Sequence, residues 1–122
     1  MLPKVYVFDA YGTLFDVHSA VGRHEVEIGA DFPRLSEVWR RKQLEYSWIR
    51  TLLGRYLDFA ELTEQALDYA IKQVAPQRLS LKSQLLAAYR HLEAYQDVRT
   101  ALSQFKARGA NSRSFRTARR KC

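Results

Sequence analysis

An aspartate that closes a short apolar run, with a glycine three residues further on, is a pattern that can do chemistry. Val5-Tyr6-Val7-Phe8 stops at Asp9, and Tyr11-Gly12-Thr13 follows as a turn. Open α/β proteins place reactive groups at the carboxyl ends of such strands, and the backbone N–H groups of the turn beyond can hold an anion. An aspartate that only caps the turn fits the same spacing. Arg40 lies in the pair Arg40-Arg41, and because most helical arginines are solvated, the residues alone favour a solvated face there. His18, His24 and His91 show no ligand spacing and are expected to be structural. Cys122 is the only cysteine and the last residue, so neither an internal disulfide nor a cysteine zinc site is expected.

The elements that must position these residues follow from periodicity. Residues 5–8 form a β-branched and aromatic run, expected to be a buried strand. Residues 16–34 are mixed, with Gly22, Gly29 and Pro33 interrupting any long period. From Ser36, a candidate N-cap, the pattern turns helical, with Leu44, Trp48 and Leu52 at four-residue spacing. Gly54 ends or interrupts that helix. A second helix is expected over 60–74, with Leu62, Ala66 and Ala70 beside Leu67, Ile71 and Val74, and Pro76 as its stop. A third is expected over 80–93, with Leu81, Leu85, Tyr89 and Leu92 on a stripe. A fourth, over 97–108, uses Val98, Leu102 and Phe105 and ends at Gly109.

One strand and several helices leave the strand's backbone groups without partners. A second strand, parallel to the first, is what an α/β chain needs after Gly109. The sequence there is polar and arginine-rich, so that strand is expected to be missing.

The 122 residues suffice for one small domain, and 47% hydrophobic with 27% charged residues is a globular balance. No stretch approaches the roughly 20 apolar residues that span a bilayer, and the start lacks a signal-peptide pattern, so a soluble cytoplasmic protein is expected, with no membrane partner. The net charge of +7 raises nucleic acid as a partner. Residues 98–122 carry eight basic and no acidic residues, however, leaving twelve basic against thirteen acidic in residues 1–97. The basic character belongs to the tail. A helical protein with a nucleic-acid-binding tail built on Arg113, Phe115, Arg116, Arg119 and Arg120 is an alternative, but it leaves the N-terminal strings unexplained, and no nucleic-acid partner is expected.

Those strings are distinctive. VFDAYGTLFDVHSAVG resembles the first motif of the haloacid dehalogenase-like hydrolase superfamily, an apolar strand followed by D-x-[DY]-G-T-L. SEVWRRKQLEYSWIRTLLGRY resembles the first cap helix of its L-2-haloacid dehalogenases, although relatives commonly carry Gln where this chain has Arg41. The resemblance covers residues 4–109. It implies the N-terminal part of a Rossmann-like parallel α/β core with an inserted helical cap, this chain itself being mostly α-helical with one core strand. The implied divisions are the first strand and nucleophile loop (1–15), the cap (16–96), a return helix of the core (97–109) and a basic tail (110–122).

The resemblance also implies an activity, hydrolysis of (S)-2-haloacids to (R)-2-hydroxy acids through an aspartyl ester, without metal or other cofactor. Asp9 would be the nucleophile and Arg40 the holder of the departing halide. Tyr11, Leu44 and Phe59 would surround a small 2-haloalkanoic acid, and the Ala10–Tyr11 backbone would bind its carboxylate. The superfamily's metal-dependent phosphatases, the other alternative, carry a second Asp where this chain has Tyr11; a halide is a weak base and needs no acid to leave. Intact members are often homodimers. The family has an apolar strand ending in Ser-Asn-Gly after the position of Gly109. A synonymous coding of residues 110–122, read two bases later, gives ELAILSNGSPEM, so the expectation is a C-terminal truncation by a frameshift near residue 110, with little or no activity in this chain alone.

Overall fold

A computed structural model of the chain describes residues 5–115. In chain order the elements are β1 (Val5–Asp9), β2 (Phe15–Asp16), α1 (Ser19–Gly22), α2 (Glu25–Ile28), α3 (Phe32–Leu52), α4 (Phe59–Val74), α5 (Lys82–Tyr89), β3 (Glu93–Ala94), α6 (Val98–Ala107) and β4 (Asn111–Phe115). Short 3-10 segments, Gly29–Asp31 and Pro76–Leu81, lead into α3 and α5. The described chain divides into two compact units, one of residues 5–17 and 92–115, the other of residues 18–91 inserted within it.

The first unit pairs β1 with β4 in parallel, from Val5 opposite Asn111 to Asp9 opposite Phe115, and β2 with β3 antiparallel. β4 corrects the expectation of a single core strand. Strand pairing is made by backbone groups, so a polar segment can satisfy the N–H and C=O groups of β1 that apolar side chains were expected to signal. The connection between them is α6, the helical crossover that parallel neighbours need. Phe105 of α6 packs on Tyr6 and Phe8, with ring centroids at 4.7 and 5.6 Å. Only one face of β1 is covered in this way; Val5 and Val7, on the other, are 54% and 66% exposed. The expected buried strand is therefore only half-buried, and on one side. The rest of the basic tail, residues 116–122, lies outside the described residues.

The second unit is helical, and its core is an apolar seam between α3 and α4 closed by α1 and α5. On α4 the buried residues are Leu62, Thr63, Ala66, Leu67, Ala70 and Ile71, the stripe that the sequence period predicts. Asp58 caps this helix, its Oδ1 accepting from the Ala60 N–H at 2.7 Å.

Helix α3 departs from expectation in two ways. It begins at Phe32 rather than Ser36, because Pro33 falls in the first turn, where a missing N–H breaks no helical bond. Ser36 is instead buried inside the helix, 2.6 Å from His18 Nδ1. Its buried face carries Leu35, Ser36, Val38, Trp39 and Gln43, whereas Trp48 and Leu52 are 62% and 86% exposed. The four-residue spacing of Leu44, Trp48 and Leu52 marks a common face but not the one that α4 covers.

Helix α3 stops at Leu52, and Gly54 takes φ +65°, a left-handed conformation that suits glycine. The third expected helix is shorter than its apolar stripe. α5 ends at Tyr89, and Leu92 belongs to the other unit, where β3 follows to pair with β2.

Candidate active site

Asp9 is the last residue of β1, and the chain turns sharply behind it. Leu14 and Phe15 both donate backbone N–H bonds to the Ala10 carbonyl, at 3.0 and 2.9 Å, and Gly12 N–H reaches the Phe15 carbonyl at 2.9 Å. Gly12 sits at φ +82°, where a side chain would cost about 1 kcal/mol or more. Ala10 is buried, Tyr11 half-buried, and Asp9 exposed. The turn returns Thr13 to Asp9, and its hydroxyl donates to Asp9 Oδ2 at 3.1 Å. One carboxylate oxygen is thereby tied to the loop. The sequence marks Thr13 only as part of a turn; its spacing of four from Asp9 across a glycine is the available signal.

In the second unit, Arg40 and Leu44 lie one turn apart on α3, and Phe59 opens α4. A hydrogen-bond chain links the first and last of these. Arg40 Nη1 donates to Gln43 Oε1 at 2.8 Å, Gln43 Nε2 donates to Thr63 Oγ1 at 2.7 Å, and Thr63 Oγ1 donates to the Phe59 carbonyl at 2.7 Å. Tyr89 OH joins at Gln43 Oε1 (3.0 Å), and Trp39 Nε1 ties α3 to the Thr63 carbonyl at 2.9 Å. The Trp39 ring also lies against Tyr89, with centroids 5.1 Å apart. Arg40 is half-buried and oriented by this chain. Arg41 is exposed, and its contact with Glu45 is a long 4.0 Å. Leu44 and Phe59 are both half-buried.

The sequence assigns no role to Gln43. Its clue was position: Gln43 continues the Leu35, Trp39 spacing, so a polar residue falls on the buried stripe. The histidines have structural contacts. His24 Nδ1 lies 3.2 Å from Glu27 Oε2, and Arg23 donates to the His91 carbonyl at 2.5 Å. Among the described residues no helix is long and apolar enough to cross a membrane.

A parallel strand pair with a tethered carboxylate at the strand end, interrupted in sequence by a helical insertion, is the arrangement that the resemblance to haloacid dehalogenase-like hydrolases implies. No family model matches the chain. It is 52% identical over 107 residues to (S)-2-haloacid dehalogenase 1 of Pseudomonas sp. (strain CBS-3), a match covering 87% of this chain and 47% of that protein. Among solved structures, a dehalogenase superposes with a TM-score of 0.88 at 44% identity, over 97% of this chain and 52% of the other. The L-2-haloacid dehalogenase from Xanthobacter autotrophicus with chloropropionic acid covalently bound gives a TM-score of 0.81 at 34% identity, over 97% and 48%. Over most of its own length the chain is similar to (S)-2-haloacid dehalogenases, and it spans about half the length of the relatives it matches.

Proposed function

We propose that this chain supplies the nucleophile and the helical cap of an (S)-2-haloacid dehalogenase. The observation that carries the reading is the Asp9 carboxylate at the end of β1, one oxygen held by Thr13, in a chain this similar to named dehalogenases. The carboxylate attacks C2 of a small (S)-2-haloalkanoic acid from the side opposite the halogen. The C–O bond forms as the carbon–halogen bond breaks, and the halide leaves with its electron pair. Water then adds to the aspartyl carbonyl, releasing the (R)-2-hydroxy acid and restoring Asp9.

Residues 18–91 act as the cap. Arg40 supplies the fixed cation for the developing halide, which can lower the barrier by about 3 kcal/mol where water is excluded. The Ala10–Tyr11 backbone takes the substrate carboxylate, and Tyr11, Leu44 and Phe59 provide the apolar walls. Because a halide needs no protonation, the chemistry runs without the general acid that Tyr11 replaces.

The test is chloride release from (S)-2-chloropropionate without added metal, beside an Asp9→Asn control, in the chain completed by the C-terminal half of a relative, since this chain alone is expected to release little or none. Turnover in water enriched in heavy oxygen should label the Asp9 carboxylate, because hydrolysis occurs at its carbonyl. Label that enters the hydroxy acid in the first turnover without passing through Asp9 would refute the covalent route. Chloride release that survives in Asp9→Asn would remove Asp9 from the reaction.

A further inference from the structure

One partner of Arg40 is a neutral group, the Gln43 amide. Gln43 is 1% exposed and is one of three buried polar residues among those described, with Ser36 and Thr63. A buried amide is costly unless all its groups are bonded, and here the bonding pattern fixes which way it faces. The single proton of the Thr63 hydroxyl goes to the Phe59 carbonyl, so toward Gln43 that oxygen can only accept. It therefore demands the NH2 side of the amide and turns Oε1 toward Arg40 and Tyr89. The two donors, Arg40 Nη1 and Tyr89 OH, then occupy both lone pairs of Oε1.

We infer that Gln43 is a positioning residue for the halide site, a buried amide locked by Thr63 and Tyr89 that orients the Arg40 guanidinium without subtracting from its charge. This rests on the reading of Arg40 as the halide holder. A carboxylate at position 43 would orient Arg40 equally well but would cancel the charge that an anion must feel. Gln43 gives direction and itself cancels none of that charge. Trp39, bonded to the Thr63 carbonyl, fixes the spacing of α3 and α4 on which the relay depends.

The experiment uses the full 122-residue chain and two readouts, the line width of the Arg40 Nε–H resonance and its shift on titration with sodium bromide. Far-UV circular dichroism checks the fold of each variant. The parent should show a sharp Arg40 signal and a saturable bromide shift. Gln43→Met should broaden the signal and weaken bromide binding about tenfold, as expected for loss of one hydrogen bond to a charged group. Thr63→Val, which leaves Gln43 in place but removes its lock, should do the same more weakly. Gln43→Glu should keep the signal sharp while abolishing the bromide shift, an outcome that a merely structural glutamine would not produce. An equally sharp Arg40 signal in folded Gln43→Met, or unchanged bromide binding in Gln43→Glu, overturns the inference. A sharp parental signal with no bromide shift would instead overturn the halide role of Arg40, and the positioning role for that site with it.

Discussion

On the proposed reading, the Asp9 carboxylate and its tether set the chemistry at the scale of single residues. Thr13 reaches back four positions because Gly12 lets the chain reverse, so the hydroxyl meets Oδ2 from within the same loop. A hydrogen bond to a charged group is worth about 1.5 kcal/mol at an exposed site. In the chain completed by a relative's C-terminal half, Thr13→Val should therefore lower the rate of halide release about tenfold with the fold unchanged, as initial-rate measurements would show; an unaltered rate would mean that the tether does not orient the nucleophile. Arg40 follows a different rule. Its Nη1 is held by a buried amide rather than a loop, whereas the exposed Arg41 has only a long contact with Glu45.

Two contacts matter at the scale of elements. Asp58 caps α4 at the point where Phe59 enters the helix, so Asp58→Ala should cost about 1 kcal/mol, measurable as a lower urea midpoint with an unchanged slope. Lys82, at the start of α5, reaches Asp68 and Glu64 of α4 at 2.8 and 2.9 Å. Its bond to Asp68, then that to Glu64, raises its pKa above the ordinary 10.5. A raised lysine contributes its stability below its unfolded pKa and loses it as pH climbs through the folded value. Lys82→Met should thus cost about 0.5 kcal/mol at pH 7, a surface-pair magnitude, and the difference should vanish once the pH passes well above 10.5. Denaturation at neutral and at alkaline pH would check it; a difference that persists at high pH would assign the loss to packing instead.

Taken whole, the described chain has one well-filled core and one thin one. The helical unit buries Leu35, Leu67, Ile71 and Leu85 completely, and Leu67→Ala should cost about 3 kcal/mol in chemical denaturation. In the other unit, α6 covers one face of β1 and leaves Val5 and Val7 exposed on the opposite face. An exposed apolar strand face invites association. Val7→Thr should reduce binding of a hydrophobic dye and slow aggregation without altering helical content. Unchanged dye binding would mean that the signal comes from elsewhere, such as exposed Trp48, Leu52 and Tyr56.

The sequence by itself determined what is local or strongly periodic. The Asp9 loop was legible because a glycine and a turn follow an apolar run, the α4 stripe because its period is regular, and the family because two long strings match in order. Tertiary structure decided what depends on neighbours distant in the chain. Ser36 became an interior residue because Pro33 allowed α3 an earlier start and His18 gave its hydroxyl a partner. Gln43 became the support of Arg40 only when Thr63 and Tyr89, 20 and 46 residues away, closed around its amide. The strand after Gly109 was invisible in side-chain pattern because parallel pairing is written in backbone groups that every residue but proline carries, and β1 supplied the register.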